Sequence, residues 1–311
     1  MQNQQQDRVA WIGLGLLGSE LTQHLQRYID SEALPNLVVW NRSPEKAQKL
    51  QSIIPEVQVA NSMEEIFTKF QANIIFTSLQ NDTAVVQVYT VLTDLAAKAT
   101  YPIIFVETGT LYPELSLKLE KQISDSSSSQ HHVYLQCPVF GRPEAAHMAQ
   151  MVWVASGNAA AIERLTPYFN SMSRQVMDLK TTDVSAGSTL KLIGNFMFAS
   201  CSEMVSEMVD VAQKANLDPQ HLISLVDAVM PAPVIQQYVR AIVGGAEAPE
   251  TVGMVVSVLS KDVSALKKWG DVKGAPLPTA DMLLKNFETA REKGYTNWNF
   301  LVDSINNNSG A

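Results

Sequence analysis

Apolar and polar positions follow two rhythms along this chain. As far as about residue 180, short runs rich in β-branched and aliphatic residues recur at 8–12, 37–40, 57–59, 73–77, 102–106, 132–137, 151–155 and 174–178. Amphipathic stretches lie between most of them, for example at 44–52, 81–98 and 113–124. Strands alternating with helices predict a doubly wound, mainly parallel α/β sheet, because each parallel neighbour is reached by a crossover. Beyond Thr182 the strand signal stops. Residues 185–215 read as one long helix with Gly194 its main breaker, and Asn216-Leu217-Asp218-Pro219 turns the chain into the next. Further helical patterns cover 219–229, 232–243, 251–269 and 278–293. The expected division is therefore an α/β domain over 1–182 and an all-helical domain over 183–311, with the long helix as the spine that joins them.

Composition narrows the class without changing this picture. A hydrophobic fraction of 46% and a charged fraction of 17% over 311 residues suit compact folded domains. The net charge of −8, with no basic stripe, excludes nucleic acid as an expected partner. Two cysteines, Cys137 and Cys201, make no disulfide framework and suit a reducing compartment. The polar, Gln-rich start resembles neither a signal nor a transit peptide, and no apolar run reaches membrane-spanning length. A cytoplasmic protein without membrane partner or metal is expected. The serine run at 126–129 reads as a surface loop.

Chemistry enters first at Trp11-Ile12-Gly13-Leu14-Gly15-Leu16-Leu17-Gly18, which leaves a strand and opens a helix. Gly13 permits the tight turn, Gly15 lets a backbone approach a pyrophosphate, and Gly18 lets the helix pack close to the sheet. The N–H groups of the following turn and the helix dipole favour an anion there. The second strand ends in Asn41-Arg42-Ser43, where an NAD-binding chain usually carries an acid for the ribose 2′-hydroxyl. Arg42 can pair with a 2′-phosphate and stack on adenine, and Asn41 and Ser43 can donate to that phosphate. NADP(H) is thus the expected cofactor. The same residues also suit a plain helix start, with Ser43 as N-cap and Pro44 at N1.

Three further segments could carry chemistry. Gly187, Lys191 and Asn195 are four apart and share a helix face, in a stretch with no other charge until Glu203. An amine there can exchange protons near neutral pH, or it can snorkel at the edge of a core helix. Spacing leaves both open. Gln136-Cys137-Pro138-Val139-Phe140-Gly141-Arg142-Pro143 leaves a strand and turns into a helix, with Arg142 either clamping a carboxylate or solvated at a corner. Adjacent Lys261 and Asp262 read as a solvated helix face.

These segments, in this order and spacing, resemble the β-hydroxyacid dehydrogenases, the family of 3-hydroxyisobutyrate dehydrogenase and the glyoxylate/succinic semialdehyde reductases, with a Rossmann domain followed by a helical one. The resemblance spans nearly the whole chain. It implies that Lys191 passes a proton to or from the substrate oxygen and that Asn195 holds the substrate beside Gly187. It implies that Lys261 lies near the cofactor, that Thr110 in Glu107-Thr108-Gly109-Thr110 meets the nicotinamide ribose, and that Leu79-Gln80 cover the cofactor with Leu16 and Leu17. A homodimer formed through the helical half is expected by the same analogy. One departure stands out. The family's substrate loop reads Ser-Gly-Gly after Pro-Val, whereas this chain reads Phe140-Gly141-Arg142, which alters the shape and charge of the carboxylate cradle. The leading expectation is an NADP(H)-dependent oxidoreductase for a small hydroxy acid and the matching aldehyde or keto acid. An imine reductase, which usually has Asp or Tyr at the position of Lys191, and a non-catalytic NADP-binding interaction protein are the alternatives.

Overall fold

A computed structural model describes residues 6–126, 131–243 and 255–294. Most of the serine run and the start of the 251–269 pattern lie outside the described residues. The chain forms two compact units, 1–191 and 192–311.

The first unit carries nine strands among the described residues: β1 Val9–Ile12, β2 Val38–Trp40, β3 Gln58–Val59, β4 Ile74–Thr77, β5 Ile104–Glu107, β6 Val133–Gln136, β7 Val139–Phe140, β8 Met151–Gly157 and β9 Ser173–Asp178. Their order is β3-β2-β1-β4-β5-β6-β8-β7, with β9 on β8. Every pair from β3 to β6 is parallel, as the alternation predicts; β8 runs antiparallel to β6 and β7. The order reverses between β1 and β4, so the loops leaving those strands part in opposite directions and open a crevice at their carboxyl ends.

Strand side chains alternate between two cores. Val9 and Trp11 face the helices Leu16–Ser31 and Ala159–Ser171 through Leu21, Leu25, Ile162 and Phe169. Ala10 and Ile12 face Asp82–Ala96 and Pro113–Asp125 through Val85, Tyr89, Leu119 and Ile123. The Trp11 ring stacks on Phe76 at 5.1 Å, and Trp153 and Phe169 extend the aromatic layer.

Two helices of this unit lie outside the stretches named from the sequence. Met63–Thr68 is only six residues long. It is held by a capping pair in which the Glu65 N–H donates to Ser62 Oγ and the Glu65 carboxylate accepts from the Asn61 N–H. That Ser-x-x-Glu spacing was its sequence signal. Ala159–Ser171 contains Pro167, which interrupts a helical reading, yet Asn158 caps its start.

In the second unit the rest of the helix Ser185–Lys214 packs with Gln220–Val229, Pro233–Val243, Val256–Val272 and Pro278–Glu292 around Val205, Val209, Val239, Val263, Leu283 and Phe287. No described helix is long and apolar enough to cross a membrane.

Candidate active site

The glycine turn is built by exclusion of side chains. Gly13 has φ +99, and a Cβ on it would lie 2.2 Å from the Ser78 carbonyl oxygen. A Cβ on Gly18 would lie 2.3 Å from the Gly13 carbonyl oxygen, so Gly18 sets the approach of the helix Leu16–Ser31. Gly15 differs: beyond its own chain neighbours, no atom of the described residues lies within 4 Å of a Cβ placed there. It is the N-cap of that helix, with no capping side chain and no acid in the first turn. Unspent N–H groups, open space and a helix dipole fit a diphosphate. Leu16 is exposed and Leu17 half-buried beside them.

Asn41 does structural work in the cradle. Its Oδ1 accepts from the Leu14 N–H at 2.8 Å and its Nδ2 donates to the Ser43 carbonyl at 3.0 Å, tying β2 to the glycine turn. Ser43 stands at the N-cap of Pro44–Ile53, but its hydroxyl does not cap the helix. Arg42 is exposed and makes no ion pair among the described residues. The Arg42 guanidinium and the Ser43 hydroxyl therefore remain for a ligand, while Asn41 fixes the turn.

The crevice side is formed by the ends of β4 and β5. Leu79 packs against the glycine turn, with its Cδ2 3.2 Å from the Gly13 Cβ position, and Gln80 is exposed next to it. Glu107, at the end of β5, is fully buried. Its carboxylate accepts from Thr77 Oγ1 and from the Gly109 N–H, both at 2.6 Å. Gly109 in turn accepts from Gln136 Nε2 at 2.9 Å, so the half-buried Thr110 sits on a loop held from both sides. Desolvation pushes the Glu107 carboxyl up to about 7, against the opposing pull of those hydrogen bonds. A raised native pKa makes its stabilising contribution complete below the ordinary value of 4.5, and that contribution is lost as pH rises to about 7. The loss amounts to about 3 kcal/mol. Urea midpoints measured from pH 4.5 to 8 should fall more steeply for the native protein than for Glu107→Gln; parallel curves would contradict this.

Lys191 is half-buried, and its Nζ lies 4.1 Å from the centroid of the Phe140 ring. Gly187 is buried, donates its N–H to Ser156 Oγ at 3.1 Å, and would place a Cβ 2.6 Å from that same oxygen. The absence of a side chain at Gly187 thus lets the start of the long helix dock closely on β8. Ser188 reinforces the contact by sharing a hydrogen bond with Ser116 at 2.7 Å. Gly141, with φ +147, makes the turn after β7. Arg142 is half-buried, and its Nη1 is buried without a hydrogen-bond partner among the described residues. A buried guanidinium N–H left unpaired is costly, which suits an anionic partner from outside the chain.

In the helical unit, Asn195 Nδ2 donates to Asp262 at 2.6 Å, and Lys261 pairs with Asp262 at 3.1 Å. Asp262 is 1% exposed. The expected solvated face is therefore corrected: Asp262 is an internal anchor that orients Asn195, and only Lys261 is partly exposed. An acidic residue next to a lysine at helical spacing carried no sign of this. Among the described residues no group of His, Cys, Asp and Glu could hold a metal ion.

Comparison with known proteins follows the same two-part division. Residues 8–181 match the family model described as the NAD binding domain of 6-phosphogluconate dehydrogenase. Residues 185–301 match that described as NAD-binding of NADP-dependent 3-hydroxyisobutyrate dehydrogenase. The chain is 28% identical to the NADH-dependent oxidoreductase ucdB of Aspergillus ustus, over 74% of each chain. It is 24% identical to glyoxylate/succinic semialdehyde reductase 1 of Arabidopsis thaliana, over 94% of this chain and 95% of that one. The solved 3-hydroxyisobutyrate dehydrogenase of Mycobacterium tuberculosis superposes with a TM-score of 0.79 at 17% identity, over 97% of this chain and 99% of that one.

Proposed function

Because the chain belongs to the 3-hydroxyisobutyrate dehydrogenase-like β-hydroxyacid dehydrogenases, an oxidoreductase family that pairs a nicotinamide dinucleotide with a small-molecule substrate, we propose that it is an NADP(H)-dependent reductase of small aldehyde or keto acids and the reverse dehydrogenase. The observation that carries the reading is Lys191, an amine held at a half-buried turn of a helix that has no further charge until Glu203.

The glycine turn and the first turn of Leu16–Ser31 hold the diphosphate, with Arg42 and Ser43 at the 2′-phosphate and Leu79, Gln80 and Thr110 toward the nicotinamide end. Lys261 contributes a cation near the cofactor. When bound, the nicotinamide supplies or accepts the hydride. Lys191 Nζ donates a proton to the carbonyl oxygen in reduction, and the neutral amine takes the hydroxyl proton in oxidation. Asn195, oriented by Asp262, hydrogen-bonds the substrate. The unpaired Arg142 Nη1 supports a carboxylate on that substrate. A homodimer formed through the helical unit, working in the cytoplasm, completes the proposal.

The cofactor part is tested at Arg42. The Aspergillus relative is named for NADH, so the preference of this chain has to be measured directly. Arg42→Ala should raise KM for NADPH about 10- to 100-fold, the worth of a hydrogen bond to a charged group, and leave KM for NADH within about 2-fold. Equal effects on both cofactors would reject the 2′-phosphate role. The substrate part is tested by NADPH oxidation against small aldehyde acids, keto acids and cyclic imines. Preference for imines, or NADPH binding without any turnover, would overturn it.

A further inference from the structure

Phe140 stands where the family's loop has serine, and its ring lies beneath the amine that carries the proposed chemistry. The two partners are anchored to one strand by independent routes. Phe140 pairs with Val152 of β8, and its neighbour Val139 pairs with the buried Trp153. Lys191 follows Gly187 by one helical turn, and Gly187 is tied to Ser156 of β8. The following Gly141 has φ +147, a conformation strained for any residue with a side chain. The backbone beneath the ring is thus set by the sheet, and the backbone that carries the lysine by the helix start.

A lysine side chain is a compact charge on a flexible four-carbon stem, and rotamer entropy opposes holding it in one place. An aromatic face at this distance attracts the ammonium through its quadrupole and has no comparable pull on the neutral amine. We propose that Phe140 is a positioning residue for Lys191, its ring holding the protonated amine at the point of proton delivery. This rests on the proton-transfer reading of Lys191. It turns the departure from the family loop into a functional exchange: the hydroxyl is replaced by a ring that organises the acid, and Arg142, two residues on, remains for the substrate anion.

The charged groups around the pair do not explain it away. β8 carries none. Arg142 and Glu144 follow β7, Asp183 precedes the long helix, and Glu114, Lys118 and Glu120 lie on the helix Pro113–Asp125 that Ser188 touches. All are retained in the variants below, so their effects cancel.

The test compares Phe140→Leu, Phe140→Tyr, Phe140→Trp and pentafluorophenylalanine at position 140, which keeps the shape but reverses the quadrupole. For Phe140→Leu, kcat should fall about 2- to 30-fold with KM for NADPH unchanged. The pH profiles of both reduction and oxidation should shift to lower pH by about 0.5 to 1 unit, because the protonated amine has lost its support. The fluorinated ring should shift them in the same direction, and Tyr and Trp should restore the native profile. Profiles that superimpose for all variants would overturn the proposal, as would a loss of kcat equal in Leu, Tyr and Trp. Substantial turnover in Lys191→Ala would instead refute the underlying function, so the two failures are distinguishable.

Discussion

Lys191→Ala is expected to lose turnover by about 10² to 10⁴-fold, the usual worth of a positioned proton donor, while still binding NADPH. The substitution leaves the glycine turn and the β4 and β5 loops intact, and Ala is compatible with the helix Ser185–Lys214. Stopped-flow titration with NADPH separates cofactor binding from the lost chemical step. Lys191→Arg sharpens the reading. Arginine keeps the charge but cannot release its proton in a protein. If Lys191 moves a proton, arginine should be nearly as inactive as alanine; if only a positive charge is needed, arginine should recover most of the rate. Native-like turnover in both variants would remove Lys191 from the reaction.

Alanine at Gly13 and alanine at Gly15 should fail in opposite ways. Gly13 needs φ +99, a region that costs an L-residue roughly 1–3 kcal/mol. Its Cβ would also press on the carbonyl of Ser78, a residue whose N–H donates to the Ile12 carbonyl at 2.8 Å. Strain and overpacking together should destabilise the first unit by about 2 to 5 kcal/mol, lowering its melting temperature by roughly 5 to 15 °C. Gly15 has φ −77 and open space around its Cβ position. Gly15→Ala should melt within about 3 °C of the native protein, since replacing an N-cap glycine costs only a fraction of a kcal/mol to about one. NADPH affinity should nevertheless fall at least about 10-fold, because the new methyl group stands where the diphosphate backbone approaches. Thermal melts paired with NADPH titrations decide this: an unstable Gly15→Ala, or one with native affinity, would remove the cofactor from the position assigned to it.

The glycine turn was legible because its meaning is local. The spacing of Gly13, Gly15 and Gly18 after an apolar run specifies a backbone that only small residues can follow. The long helix and the parallel sheet were legible for the same reason, through periods of 3.6 and two. The short capped helix Met63–Thr68 was within reach through Ser62 and Glu65, but six residues hold too little periodicity. The helix Ala159–Ser171 carries Pro167, a residue that weakens any helical pattern. Spacing put Gly187 on one helix face with Lys191 and Asn195, but could not show that its missing side chain makes room for Ser156 and Gln136.

By itself, then, the sequence determined the order of strands and helices, the dinucleotide cradle, the absence of an acid beside Arg42, and the lone amine Lys191 in an uncharged helical stretch. Each is a matter of residue type at short spacing. Only the tertiary structure decided which distant groups meet. It put the Phe140 ring beneath Lys191, buried Asp262 against Asn195, turned Asn41 inward to hold the glycine turn, and enclosed Glu107 between Thr77 and Gly109. Apart from Gly109, these partners lie tens of residues apart, and burial is a property of packing around a side chain that no local pattern records.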